Sequence, residues 1–244
     1  MQNFKTLTKT LLTATAITVI SATASILPTV ADFTGQEAFA QTSTMASEER
    51  AAEALAARIA RPRIGSMPGM NERAFKTLTK VQEFMELEPP QYGEAMLLLK
   101  KQNLERLNST ELTSFYQLMA AVAQNQDNID EALGYYKNIL AMESISYAQR
   151  DQMTFIVGQI EFSNGNNELA ISYFEDWLKY QPTPSITNIV VLANVYYASA
   201  LDLEDIPVAA EKYFRNSIEF LNWAIIKAKA DGKEDKENWY AVLR

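Results

Sequence analysis

The chain has 244 residues, 48% of them hydrophobic and 10% aromatic, carries a formal charge of -8 and contains neither cysteine nor histidine. This length and apolar content suffice for a substantial core, while eight glycines and eight prolines are too few for an all-β fold with a turn every ~8–12 residues. Without thiols or imidazoles there are no thiolate nucleophiles, disulfides, cysteine-linked lipids or imidazole bases, and little means of binding zinc or copper.

Residues 1–40 have the form of a secretory signal. Lys5 and Lys9 supply the positive end, an apolar stretch runs from Leu11 to about Leu27, and Ala38-Phe39-Ala40 places small residues before Gln41, which predicts cleavage after Ala40. Thr13, Thr15, Thr18, Ser21, Thr23 and Ser25 interrupt the stretch and Pro28 ends it. It is therefore a poor permanent span of about 20 apolar residues, although a retained anchor is the alternative. No stable membrane span is expected after signal removal, and the expected address is the periplasm of a Gram-negative bacterium. Removal takes two charges of each sign and leaves -8. An acidic chain without a Lys/Arg stripe interleaved with aromatics predicts no nucleic-acid partner.

Residues 41–70 read as a flexible or weakly docked leader. Ser47 to Ala60 is rich in alanine and glutamate and predicts a short helix, broken by Pro62, Gly65, Pro68 and Gly69. Arg58, Arg61 and Arg63 form a short basic cluster whose ordinary reading is a solvated connector.

From Asn71 to Arg244 the sequence is nearly continuous amphipathic helix with an internal repeat. A degenerate unit occupies residues 76–109, with Tyr92, Ala95 and Leu99 in its second helix and Glu83 where a small residue is wanted. A second unit spans 113–146 through Tyr116, Ala120, Ala123, Ala132, Tyr136 and Leu140, with Asp127 and Asn128 at the turn. The clearest spans 151–184, where Gly158, Gly165, Ala170, Phe174 and Pro182 fall at the signature places of a 34-residue tetratricopeptide repeat. Small Gly158 and Ala170 let two helices approach, Gly165 allows the turn and Pro182 stops the second helix. A fourth unit covers 186–230, from Ile189, Leu192, Ala193, Tyr196 and Tyr197 to Leu221, Ala224 and Ile225. It carries about 12 extra residues around 201–214, an insertion or a helix extension that includes Asp202, Glu204, Asp205 and Pro207. Trp239 and Val242 predict a partial repeat from 236. The expected fold is all-α, a right-handed α-solenoid of antiparallel helix pairs, and the sequence suggests one part of a longer repeat array or a truncated relative.

In such an array the first helix of each pair lines the concave side. This predicts a protein-binding groove of Gln117, Ala121 and Gln124, then Gln152, Phe155, Gln159 and Phe162, then Val190, Asn194 and Tyr197. The amides suit a peptide backbone, and Phe155, Phe162 and Tyr197 are expected to receive apolar side chains. Trp177, Trp223, Tyr136, Tyr173 and Tyr196 lie at helical spacing and read as core. Asp202 with Asp205 and Asp130 with Glu131 lack a twelve-residue calcium loop, and Gly65 to Gly69 is followed by no lysine-serine pair. No catalytic residue, cofactor or metal is expected.

The run Tyr147 to Pro184, and more closely the tail Ala224-Ile225-Ile226-Lys227-Ala228-Lys229-Ala230-Asp231-Gly232-Lys233 with Lys236-Glu237-Asn238-Trp239-Tyr240, resembles bacterial tetratricopeptide proteins associated with TonB energy-transduction gene clusters. The resemblance covers roughly Asn71 to Arg244. It implies a non-enzymatic accessory role beside the inner-membrane proton-channel and TonB complex that drives outer-membrane uptake, with TonB-complex components as partners. Superfamily members that grip a terminal carboxylate use lysines and asparagines, a pattern only Asn194 answers here, so that ligand is not expected. The alternatives are a periplasmic coordinator of envelope constriction or wall synthesis, and the non-catalytic repeat part of a longer protein, including one with a catalytic domain.

Overall fold

A computed structural model describes residues 36–203 and 205–233, with side chains from Ser47 onward. Among these residues the regular elements are all helical: α1 (Gln36–Ala60), α2 (Glu72–Glu86), α3 (Tyr92–Lys100), a 3-10 turn (Leu104–Arg106), α4 (Ser109–Asn125), α5 (Ile129–Ala141), α6 (Tyr147–Ser163), α7 (Asn167–Leu178), α8 (Ile186–Leu201) and α9 (Pro207–Ala230). The all-α expectation holds. The expected signal lies outside the described residues over 1–35, as do Glu204 and the partial repeat with Trp239 and Val242. Helix α1 runs through Ala40 and Gln41, the expected cleavage point.

The chain divides into two compact units, one of residues 64–150 and one of residues 36–63 with 151–233. In the first, α2 with α3 and α4 with α5 form helix pairs joined by short turns, the αα-hairpin arrangement. Asn71 caps α2 by accepting from the Ala74 N–H at 2.9 Å. Asn108 caps α4 in a reciprocal box with Glu111, a sequence-local device that satisfies two orphan N–H groups. Glu111 is buried, and its Oε1 also accepts from the backbone N–H of Asn71 at 2.8 Å and from the Asn71 side-chain amide. One carboxylate thus binds the starts of α2 and α4 together.

At the α4–α5 turn Asp127 takes the left-handed conformation (φ 57°), which Asn and Asp tolerate better than most residues, and Asn128 caps α5. The core between these helices includes Phe115, Leu118, Ala120, Ala123, Ala132, Tyr136 and Ile139. In the degenerate first pair Ala95 and Leu99 are buried as expected, but Glu83 is exposed and the inward face of α2 is Ala74, Leu78 and Val81. The helix turns another side inward because Glu83 cannot be buried without a partner. The Arg150 guanidinium donates to the carbonyls of Leu140 (2.9 Å) and Met142 (2.7 Å), placing a cation at the C-terminal end of α5.

Glu131, in the first turn of α5, pairs with Lys100 at 2.9 Å and accepts from the Tyr135 hydroxyl at 2.7 Å. The Lys100 hydrogen bond first, then Tyr135, holds the Glu131 carboxyl below its ordinary range. A lowered carboxyl contributes stability above its unfolded pKa and loses it as pH falls through the folded value. Glu131→Gln should therefore cost up to about 1 kcal/mol at neutral pH and leave stability unchanged at pH 2. Urea titrations at the two pH values check this, and an equal loss at both would contradict it.

In the second unit the α6–α7 turn is made by Gly165 at φ 78°, a conformation that favours glycine. Two turns back in α6, Gly158 lies under the Phe174 ring of α7. A Cβ placed on Gly158 would meet Phe174 Cε1 at 2.8 Å and Cδ1 at 2.9 Å, so the missing side chain is what lets α6 and α7 close. Ala170, Phe174 and Trp177 join Leu192, Ala193, Tyr196, Phe220, Leu221, Ala224 and Ile225 in one apolar cluster.

After Leu201 the chain turns, then α9 begins with Pro207 in its first turn and runs for 24 residues. Proline suits that position because its missing N–H has no intrahelical acceptor there.

Helix α1 also belongs to this unit, and it is longer than the expected Ser47 to Ala60. It packs on α9: Ser47 and Ala54 are buried, Arg50 donates to Glu219 at 2.8 Å, and its guanidinium carbon lies 5.4 Å from the Phe220 ring centre. Beyond α1, Arg61 is bidentate to Asp151 (3.0 and 2.5 Å) and its guanidinium carbon sits 3.5 Å above the centre of the Tyr180 ring. Burial alone would lower the Arg61 pKa, but the hydrogen bond and charge of Asp151, with Tyr180, outweigh it and raise it. Residues 47–61 thus take the docked alternative for the leader, and the reading of the basic cluster as a solvated connector is corrected at Arg61, a packed ion-pair partner, while Arg58 and Arg63 stay exposed. The reason is long-range: the groups that hold Arg50 and Arg61 lie 169 and 90 positions away.

Candidate protein-binding surface

In the first unit, Gln117 of α4 is half-buried, Ala121 is buried, and Gln124 uses its Oε1 to accept from the Tyr136 hydroxyl at 2.9 Å. Burial drives the Tyr136 pKa up, so that hydroxyl stays a neutral donor to Gln124. Gln124 therefore orders the α4–α5 pair as well as meeting solvent.

In the second unit, Gln152 and Gln159 are half-buried on α6. Phe155 packs against Phe174 (centroids 5.1 Å apart) and Trp177 (4.6 Å), and Phe162 packs against the same core cluster. Both phenylalanines are half-buried, and Phe155 spends part of its ring on the α6–α7 pair. The cause is Gly158 and Ala170, which bring the helices so close that neighbouring rings fill the seam. On α8, Val190 is packed on the cluster, Asn194 is exposed, and Tyr197 meets Phe214 edge-on at 5.8 Å. Phe214 lies in the second turn of α9, so Tyr197 has an intramolecular aromatic neighbour. Trp177, Trp223, Tyr136 and Tyr196 are core, as expected, and Tyr173 is half-buried. Burial first, then the hydrogen bond its hydroxyl donates to Glu175 at 2.5 Å, raises the Tyr196 pKa well above the tyrosine range.

The second unit also carries an open cleft of about 530 Å³, bounded by the α6–α7 turn and first turn of α7 (Gly165 to Leu169), the end of α8 (Ser199, Asp202 and Leu203) and Tyr213 of α9. Asn167 donates to Asp202 Oδ2 at 2.6 Å, joining two of these walls. Asn166 turns its amide to buried Glu161 at 2.7 Å and does not cap α7.

Leu169, in the cleft wall, is 43% exposed, and along the chain from Leu203 the exposed apolar residues continue with Leu201 (40%), Ile206 (55%) and Val208 (84%). Isolated exposed leucines are ordinary; here Leu169 lines the cleft, and three more exposed apolar residues follow one another along the chain segment that leaves it. Glu168, Asp202 and Asp205, all exposed, give it an acidic edge. The chemistry matches an apolar segment with basic neighbours. The groove positions expected from the sequence do not include these residues; the available signal was apolar Ile206 and Val208 within an acidic stretch.

Among the described residues no group of three or more acidic side chains is placed to hold a metal ion, and no helix is long and apolar enough to cross a membrane. No family model, curated protein or solved structure matches the chain.

Proposed function

We propose that this chain is an exported, non-catalytic scaffold of tetratricopeptide type, stacked as an α-solenoid, that binds other proteins. Its partners on this reading are components of a TonB-type energy-transduction complex, the assignment suggested by the resemblance of residues 147–184 and 224–240. The observation that carries the binding role is the acidic-edged apolar corner of α7, α8 and α9, where Val208 and Ile206 lie open to solvent. Asn194 of α8, exposed on the expected groove, offers a second contact point.

Deleting the gene in its native host should reduce TonB-dependent uptake across the outer membrane. A chain with both Leu169→Glu and Val208→Glu, exported at normal level, should fail to restore it. Unchanged uptake after deletion would remove the TonB assignment, and full rescue by the double variant would remove the corner as the binding surface.

A further inference from the structure

The inner face of α1 is committed to the second unit through Ser47, Arg50 and Ala54. On the opposite side, Ala52, Leu55, Ala56 and Ile59 recur at i, i+3, i+4 and i+7, and all are exposed, Leu55 by 49% and Ile59 by 75%. At 3.6 residues per turn these four form one stripe, half a turn from Ala54. Such spacing is a helix-packing seam, and on this helix it faces solvent. The charges beside it are segregated: Glu48, Glu49 and Glu53 precede its centre, Arg58 and Arg63 follow it, and all five are exposed.

We infer that the outer face of α1 pairs with the same face of a second copy of this chain, antiparallel, about a two-fold axis near Leu55 and Ala56. Leu55 then meets Ala56 of the second copy and Ile59 meets Ala52, so each large side chain faces a small one. The acidic end of each helix lies beside the basic end of the other, which makes the face self-complementary, as an isologous dimer requires. A parallel pair sets Glu48, Glu49 and Glu53 beside their own counterparts, like against like, and is disfavoured. An anionic lipid surface is a poor occupant, since three of the five flanking charges are acidic. Helix α1 ends at Ala60, so the two helices overlap over residues 51–60, about 15 Å, and four apolar residues per helix make a contact below the ~1,200 Å² of stable complexes. The pairing is therefore reversible, with a dissociation constant on the order of 10–100 µM.

The absence of cysteine makes a clean test available in the full chain. Single cysteines are introduced into chains made in intact cells, a mild thiol oxidant is added, and dimers are read by non-reducing electrophoresis. Ala56→Cys, next to the axis, should crosslink to itself, and Lys179→Cys should not. Ala52→Cys and Ile59→Cys should crosslink when co-expressed but not when expressed singly, and Glu48→Cys alone should not crosslink to itself. Adding Ile59→Glu to the Ala56→Cys chain should reduce its dimer at least fivefold without lowering the amount of chain. Absence of an Ala56→Cys dimer, its persistence with Ile59→Glu, or self-crosslinking of Glu48→Cys would overturn the inference.

Discussion

Gly158→Val is expected to destabilise the chain by about 3 kcal/mol, while Gly134→Ala stabilises it by about 0.5–1 kcal/mol. Both glycines lie inside helices, and helix propensity alone predicts a gain at each. At Gly134 of α5, which is exposed, an added Cβ meets nothing within 4 Å, so propensity decides. At Gly158 the same atom meets the Phe174 ring at less than 3 Å. That ring is fully buried and packed against Phe155, so it yields only by pushing α6 and α7 apart. Valine adds two further methyl groups to the conflict, and overpacking outweighs the propensity gain. Thermal unfolding should show a midpoint lowered by roughly 6–12 °C for Gly158→Val and raised by roughly 1–4 °C for Gly134→Ala. A midpoint unchanged or raised in Gly158→Val would mean that α6 and α7 do not approach as described.

The second large effect is expected at Arg61. Arg61→Ala removes a bidentate ion pair and a stacked guanidinium, and leaves Asp151 with the Gln181 amide at 3.3 Å to answer it. The Arg61 and Asp151 side chains are only 9% and 16% exposed, so solvent screens the pair less than it would an open surface bridge. A loss of about 2–3 kcal/mol follows, the upper part reflecting the Tyr180 contact. Arg61→Ala and Asp151→Ala should be non-additive by about 1–2 kcal/mol in a double-mutant cycle. Proteolysis should also cut near residue 60 faster in the single Arg61→Ala variant. Full additivity, or a cost below 0.5 kcal/mol on this scale, would mean that the Arg61 pair does not hold the end of the leader in place.

These two sites also mark what the sequence reveals and what it hides. Gly158, Gly165, Ala170 and Phe174 were legible because each obeys a local rule: a small residue where helices touch, a left-handed glycine at the turn, an aromatic one helical face along. The helix pairs near 113–146 and 151–184 follow from such rules. The docking of α1 was not legible, because an alanine- and glutamate-rich stretch looks alike whether solvated or packed. Its position depends on Glu219, Asp151 and Tyr180, which only the folded chain brings near. The groove was half legible for a related reason. Positions on α6 single out Phe155, but the periodicity does not record that the Phe174 and Trp177 rings already pack against it. The exposed residues near Val208 were hidden because they lie outside the positions from which the groove was assigned.

Photocrosslinking in intact native cells tests the central claim, that the chain works by holding another protein at the α7–α8–α9 corner. A photoreactive amino acid replaces Val208, with Asn194 as a second site and exposed Lys179 as the control. The account predicts a discrete adduct from Val208, absent from Lys179, that contains a component of the TonB complex. Adducts with wall-synthesis proteins would contradict the TonB assignment, and an exported, folded chain giving no adduct from either Val208 or Asn194 would contradict the scaffold reading at this surface.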